Sequence, residues 1–414
     1  MKKLDVVFRG WGQDWVLGTL ADVAGKVHFV YSDQALARGV EHSPYQLRLA
    51  PGTHTDFPRH LNGLPGFIDD ALPDGWGMLL MDRLIRMAGR EPATVSPLDR
   101  LSFIGERAMG ALAFKPSPDQ DIPRDDLSLL ELAKSARSFV EGDSVVALKT
   151  LAMLGGSPHG ARPKVLVQYD EKSGIVSTHE NAAGTPWLVK FPAATEHKEV
   201  CAVEQVYADM ARACGIDMPA SKHFALNRDM AAFGVARFDR ERGLRVPVQS
   251  IAAALHANFR EPSIDYITVL RIVRFFSHDE REVLKAYRRC VFNVVFNNRD
   301  DHAKNFALRM GEDMHWRLAP AYDLTFSRGP GGQHQTSVVG AGVPGRADLL
   351  RLAADGGVSG KAALAIMDEM CTQAGGQAAT LKNAGIRAAT VRQIAAQVAE
   401  NVKRCAGSSA PRPS

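Results

Sequence analysis

An acid, an amide and a second acid constrain this chain more than any other feature: Asp300 and Asn305 in Asn298-Arg299-Asp300-Asp301-His302-Ala303-Lys304-Asn305, and Asp323 in Ala321-Tyr322-Asp323-Leu324. They can act together only if the backbone leaves Asp300, turns, and returns at Asp323. The flanking pattern supplies such a path. From Asp279 to Phe296 the residues Val283, Leu284, Tyr287, Cys290, Val291, Val294 and Val295 recur with the period of a helix that buries one face. Phe306 to Met310 and His315 to Leu318 then read as two short strands around a Gly311-Glu312-Asp313 turn. An isolated polar loop of this composition most often caps a helix and binds water. The order helix, loop, hairpin, acid points instead to chemistry.

The D-x-x-x-x-N spacing is that of a kinase catalytic loop, in which the Asp takes the proton of a substrate hydroxyl and the Asn carboxamide holds magnesium. It selects Asp300 over Asp301. Asp323 stands where the magnesium-binding acid of such a site follows the hairpin. Magnesium is a hard cation, so an Asp carboxylate, an Asn carboxamide oxygen and nucleotide phosphates form a consistent shell.

Upstream, Gly155-Gly156-Ser157-Pro158-His159-Gly160-Ala161-Arg162-Pro163-Lys164 reads as a glycine-rich turn entering a strand from Val165 to Tyr169. Gly156 and Gly160 let backbone N–H groups approach phosphate oxygens, and Arg162 or Lys164 adds positive charge. No G-K-[ST] ends the turn, so it is not a Walker loop; a plain hairpin loop is the alternative. Thr185 to Pro192 is an apolar run that carries Lys190 near its end, either a snorkelling edge lysine or the phosphate-pairing lysine of a nucleotide lobe. A helix is predicted from His197 to Cys214, with Glu204 as the counter-ion for Lys190, or else a solvated carboxylate. A further strand from Ala232 to Phe238 leads into Arg237-Phe238-Asp239-Arg240. Ala236 and Phe238 there are the candidates for a hinge that meets adenine.

Taken together, GWGQDWVLGTL, LPGFIDDALPDGWGMLLMDR, SPHGARPK, WLVKFP, RFDR, NNRDDHAKNFAL and LAPAYDLTF resemble the HipA family of serine/threonine protein kinases, the toxin half of bacterial toxin–antitoxin pairs. The resemblance implies an α+β, two-lobed protein-kinase-like fold, with a β-rich N-terminal part, an extra small N-terminal subdomain and a mostly helical C-terminal lobe. It also implies ATP with Mg2+, and transfer of the γ-phosphoryl to Ser or Thr of a protein. By motif position Asp300 is the base, Asn305 and Asp323 the metal ligands, and Lys190 the nucleotide lysine. Ser157 is then the site of autophosphorylation. The implied partner is a HipB-like helix-turn-helix antitoxin, with DNA reached only through it. A binding module acting mainly as co-repressor with that antitoxin is the alternative reading. Two departures from ordinary protein kinases, Asn298-Arg299 before the base and Tyr322-Asp323-Leu324, keep kinase switch rules from being transferred.

With 414 residues, 45% hydrophobic and 23% charged, the chain can build two or three cores. The expected domains are an N-terminal subdomain at 1–115, a nucleotide lobe with the glycine-rich loop at 116–240, a helical lobe with the catalytic loop at 241–406, and a disordered tail at 407–414. Within them, strands are expected at Asp5 to Arg9, Asp14 to Val23 and Lys26 to Tyr31, a helix capped by Asp74 around Trp76 to Met87, and another from Leu127 to Phe139. The glycine-rich stretch from Ser327 to Gly345 reads as a mobile loop that receives a substrate. Five cysteines without a C-x-x-C pair imply reduced thiols, and no long apolar run marks a leader or a membrane span, so a cytoplasmic protein is expected. A net charge of +4 is too small to argue direct nucleic-acid binding.

Overall fold

The computed structural model describes residues 2–118, 128–141, 148, 151–152, 154, 158–179 and 182–406. Gly156, Ser157, most of the expected linker and the C-terminal tail lie outside the described residues. The chain divides into two compact units, Met1–Cys201 with Pro219–His256 and Arg309–His315, and Ala202–Met218 with Ala257–Leu308 and Trp316–Ser414.

The first unit contains two five-stranded sheets. One is built from β1 (Lys2–Phe8), β2 (Trp15–Val23), β3 (Lys26–Tyr31), β4 (Thr53–His54) and β5 (Leu112–Lys115) in the order β4-β3-β2-β1-β5. The other uses β6 (Lys164–Tyr169), β7 (Val176–Ser177), β8 (Thr185–Lys190), β9 (Ser221–Ala225) and β10 (Ala231–Ala236) in the order β7-β6-β8-β10-β9. Every pairing in both is antiparallel. In β1 Leu4, Val6 and Phe8 alternate into a core shared with Leu17, Leu20 and Phe29, the two-residue period of a sheet with one buried face.

The helix Gly75–Met87 serves both cores. Met81 belongs to the cluster under the first sheet, whereas Trp76 and Leu80 belong to the cluster with Val165, Val167, Tyr169, Trp187 and Val189 under the second. Trp76 also meets the ring of Phe139 edge-on at 5.2 Å. Phe139 lies on the helix Leu129–Glu141, near where the apolar period placed one.

The second unit is helical. At its centre the helix Glu280–Val295 packs against Tyr266–Ser277, Gly360–Ala374 and Ala388–Cys405. The Asp279 carboxylate accepts the Arg281 N–H at 2.9 Å and caps it, one residue inside the start expected from the sequence. Val283, Tyr287, Cys290, Val291, Val294 and Val295 are all buried. Leu284 is the exception to the expected face: it stays exposed. Burial pushes the Cys290 thiol well above its ordinary range. Among the described residues no helix is long and apolar enough to cross a membrane.

Candidate active site

The loop begins where the central helix is made to stop. Asn297 adopts φ +58°, a left-handed conformation that Asn tolerates better than most side chains, and Asn298 N–H then bonds back to Asn293 O at 2.9 Å. This is a Schellman ending. Asn298 Nδ2 reaches Asn293 Oδ1 at 3.0 Å, and Asn297 Nδ2 holds Ser327 O at 2.9 Å. The paired asparagines thus turn the chain out of the helix and tie the exit to a later segment.

The next two residues, both acids, have opposite environments. The Asp301 side chain is 0% exposed, while that of Asp300 is 46% exposed. Asp301 Oδ2 accepts from Tyr266 Oη at 2.8 Å and meets His334 Nδ1 at 2.7 Å; its Oδ1 accepts the N–H groups of Gln335 at 2.9 Å and Thr336 at 3.3 Å. Four partners stabilise a carboxylate that burial would otherwise penalise. Burial, and after it the charge of Asp301, pushes the Tyr266 phenol well above its usual range.

Asp300 is the acid whose carboxylate reaches solvent. Asn305 closes the loop beneath it, donating Nδ2–H to Asp300 O at 2.6 Å while its own N–H bonds His302 O at 2.8 Å. His302 Nε2 lies 3.9 Å from Asp300 Oδ1. Beyond the loop the chain forms the strands Ala307–Met310 and Trp316–Leu318, with Gly311 N–H to His315 O at 2.9 Å closing the turn.

Asp323 follows at φ +56°, a conformation uncommon for any residue with a Cβ. Such strain persists only where the surroundings impose it, and it concentrates at functional positions. The surroundings are visible here. Ala321 N–H bonds Asp217 O at 2.7 Å, Arg289 Nη2 holds Ala319 O at 2.8 Å, and Tyr322 Oη donates to Lys304 O. The last bond joins the segment of Asp323 to the loop of Asp300 and Asn305. Arg289 is buried, which lowers its guanidinium to about 10.

In the first unit, Lys164 and Lys190 are register partners on neighbouring strands, so their side chains rise from the same face of the sheet. Like charges directly opposite are unfavourable unless an anion or a polar group compensates them. Lys164, only 3% exposed, points its ammonium at His159 O, and Lys190 lies 5.9 Å from the centre of the Phe233 ring. Glu204, buried at 2% exposure, lies on the helix Glu199–Ala213, in the part of it that belongs to the second unit.

One sequence expectation, the cap at Asp74, is corrected in the first unit. Asp74 precedes its helix in extended conformation but makes no side-chain cap; its carboxylate accepts Gly160 N–H instead. Around that bond Trp76 N–H reaches Gly160 O at 3.0 Å, Trp76 Nε1 reaches Lys164 O at 3.2 Å, and His159 Nε2 meets Leu72 O at 3.0 Å. Gly75 is obligatory there, because at φ +41° a Cβ would lie 2.7 Å from Gly160 O. A backbone N–H expected to face phosphate is thus held by a carboxylate from the N-terminal segment. Arg237-Phe238-Asp239-Arg240 is bonded closely to the rest of the first unit. Ala236 N–H is given to Ala220 O at 2.8 Å and Arg237 N–H to Pro186 O at 2.9 Å, with Phe238 half-buried beyond them. Asp239 is buried between Arg237 and Arg240 at 2.8 and 2.9 Å and accepts Gly110 N–H at 2.8 Å. Against the desolvation of burial, the two arginines hold its carboxyl well below the usual range. The charged residues of this motif therefore make a structural knot with the segment around residue 110.

The segment from Ser327 to Gly345 departs from the mobile loop expected. Ser327 N–H bonds Asn297 O at 3.1 Å, Arg299 reaches Gly332 O, and residues 334–336 are fastened to Asp301. Ser337 Oγ and Gly340 N–H bond Asp265 Oδ2 at 2.6 and 2.8 Å. It is an ordered strap.

Comparison with known proteins agrees with this α+β architecture of a β-rich first part and a helical second part. A family model described as the HipA-like C-terminal domain matches residues 156–378, and one described as the HipA N-terminal domain matches residues 9–115. The chain belongs to the HipA family. Its fold is similar to that of HipA in a Shewanella oneidensis MR-1 toxin–antitoxin complex of HipA, HipB and operator DNA, with a TM-score of 0.69, 17% identity and 97% of each chain covered. Curated relatives include “Putative kinase Y4mE” of Sinorhizobium fredii, 28% identical over 288 residues, 60% of this chain and 63% of that protein. Another is a “Putative kinase” of Haemophilus influenzae, 23% identical over 194 residues, 43% of this chain and 55% of that protein. The chain thus spans about three-fifths of the length of these relatives.

Proposed function

We propose that this chain is a protein serine/threonine kinase that transfers the γ-phosphoryl of ATP to a hydroxyl of a protein and acts as the toxin of a toxin–antitoxin pair. The observation that carries the reading is the catalytic loop. Asp300, solvent-accessible, is fixed through its carbonyl by Asn305, and Asp323 is held in a strained conformation on a segment bonded to the same loop.

In this reading Asp300 accepts the proton of the attacking Ser or Thr hydroxyl as the new O–P bond forms and the bond from the γ-phosphorus to the β–γ bridging oxygen breaks, with ADP as the leaving group. The Asn305 carboxamide oxygen and the Asp323 carboxylate are the groups that would hold Mg2+. They are hard oxygen donors suited to it, and when bound it neutralises charge on the nucleotide phosphates. Lys190 and Lys164, opposed on β8 and β6, would supply positive charge for those phosphates, while Gly156, Gly160 and Glu204 keep the phosphate-loop and counter-ion roles that the family resemblance implies. Ala236 and Phe238 are assigned to the adenine side, and Ser157 to autophosphorylation.

The proposed partner is a HipB-like helix-turn-helix antitoxin, through which operator DNA is reached. The support is the likeness to a HipA found with HipB and operator DNA. The test is to incubate purified protein with γ-labelled ATP and Mg2+ and to identify the labelled residue by mass spectrometry. Phosphoserine or phosphothreonine on this chain or an added protein is expected. ATP turnover with label only in a small molecule would replace the reading with a small-molecule kinase.

A further inference from the structure

Gln335 donates Nε2–H to Asp300 Oδ1 at 2.8 Å. We propose that Gln335 is a positioning residue that aims the Asp300 carboxylate at the substrate hydroxyl. The inference rests on Asp300 as proton acceptor and adds to that reading a group from outside the D-x-x-x-x-N motif.

A half-exposed carboxylate rotates freely among rotamers unless something fixes its plane. A donor on Oδ1 does so, and by fixing Oδ1 it also fixes the direction of Oδ2. The geometry makes Gln335 a rigid donor rather than a passing contact. Its own N–H is bonded to Asp301 Oδ1 at 2.9 Å. The residue before it, His334, meets Asp301 Oδ2 at 2.7 Å, and the residue after it, Thr336, places Oγ1 on Asp301 O at 2.5 Å. Consecutive acids thus divide the work. Asp301 is buried and anchors the strap at 334–336, and the strap returns an amide to Asp300. Asn305 grips Asp300 from the backbone side, so carboxylate and main chain are held independently. Because the donor sits on the strap, a protein that displaced residues 333–337 would also release the base.

The opposite role is chemically conceivable: an amide N–H on the base could compete with the substrate hydroxyl. The two roles differ in sign. Removing a positioning group slows transfer without changing nucleotide affinity, whereas removing a competitor speeds it.

The experiment uses the full chain with γ-labelled ATP and Mg2+ in three forms, wild type, Gln335→Met and Gln335→Lys. Methionine keeps the length and removes the donor; lysine restores one. A displacement of the base by a fraction of an ångström to 1 Å should lower kcat about 10–100-fold in Gln335→Met. ATP affinity by calorimetry and the melting temperature should stay at the wild-type values, and Gln335→Lys should recover most of the rate. Wild-type or faster turnover in Gln335→Met would overturn the positioning role. So would a loss of ATP affinity matching the loss of rate, or no recovery in a folded Gln335→Lys. A wild-type chain that transfers no phosphate under these conditions would instead overturn the kinase reading, and this inference with it.

Discussion

Replacing Asp301 tests whether one buried carboxylate organises the loop. In Asp301→Ala the hydroxyl of Tyr266 can rotate and His334 can change tautomer, and Tyr266 also keeps its bond from Asn293 Nδ2 at 2.9 Å. The N–H groups of Gln335 and Thr336 have no such freedom. Each buried donor left unpaired costs about 1–3 kcal/mol, so with the lost packing the variant should be destabilised by about 3–5 kcal/mol. For the second unit, of about 170 residues, that is a fall in melting temperature of roughly 6–20 °C. Asp301→Asn should cost only about 1–2 kcal/mol: its Oδ1 can keep both backbone donors while its amide faces two groups able to accept. Calorimetric melting gives the order of the variants, and hydrogen exchange at the amides of residues 335 and 336 localises the damage. Those amides should be protected in wild type and exchange rapidly in Asp301→Ala. Equal protection and a melting temperature within about 2 °C of wild type would refute the anchoring role.

Other consequences are more local. Burial lowers His42 to about 4, between the rings of Phe8 and Phe67. Because the folded state holds this imidazole neutral, its contribution is complete above the unfolded value of about 6.5 and is lost as pH falls toward 4, by up to roughly 3 kcal/mol. Melting curves between pH 7.5 and 4.5 should show the loss, and His42→Phe should reduce it, leaving the part due to His256, which burial also lowers to about 4; an unchanged slope in the variant would remove His42 as a source. Asp74→Ala should free Gly160 N–H and leave the helix Gly75–Met87 intact, since Asp74 does not cap it. Nucleotide affinity measured by calorimetry should then change by several-fold while the far-ultraviolet circular dichroism stays the same. Unaltered affinity would mean that the Asp74 bond does not set the state of the loop.

Much of the fold could be read in the sequence because its signals are local. The apolar period from Asp279 to Phe296 is the signature of a helix with a partner on one side, and the helix found is Glu280–Val295. The hairpin after the loop, β2, β3, β6 and β8 likewise lie within a few residues of their expected places. The strand Ser221–Ala225 was missed, since Ser221-Lys222-His223-Phe224-Ala225 lacks a clean apolar alternation and owes its state to pairing with Ala231–Ala236. What sequence could not reach was set by distant partners. Nothing near Asp74 announces a bond to Gly160, and nothing near Asp239 announces one to Gly110. The strap from Ser327 to Gly345 looked loose because its glycines dominate the pattern, yet its order comes from Asn297, Asp301 and Asp265. Gln335 was overlooked for the same reason: an amide in a glycine-rich stretch carries no motif, and only the fold brings it to Asp300.

The assignment of the base is the claim on which the rest depends, and Asp300→Asn tests it most directly. The side chain keeps its size and its place on the loop, and Asn305 retains its bond to the residue 300 carbonyl. ATP with Mg2+ should therefore bind with wild-type affinity by calorimetry. Transfer of the γ-phosphoryl should fall by about 10²–10⁴, the contribution of a positioned proton acceptor. Wild-type turnover in Asp300→Asn, with binding intact, would contradict the account.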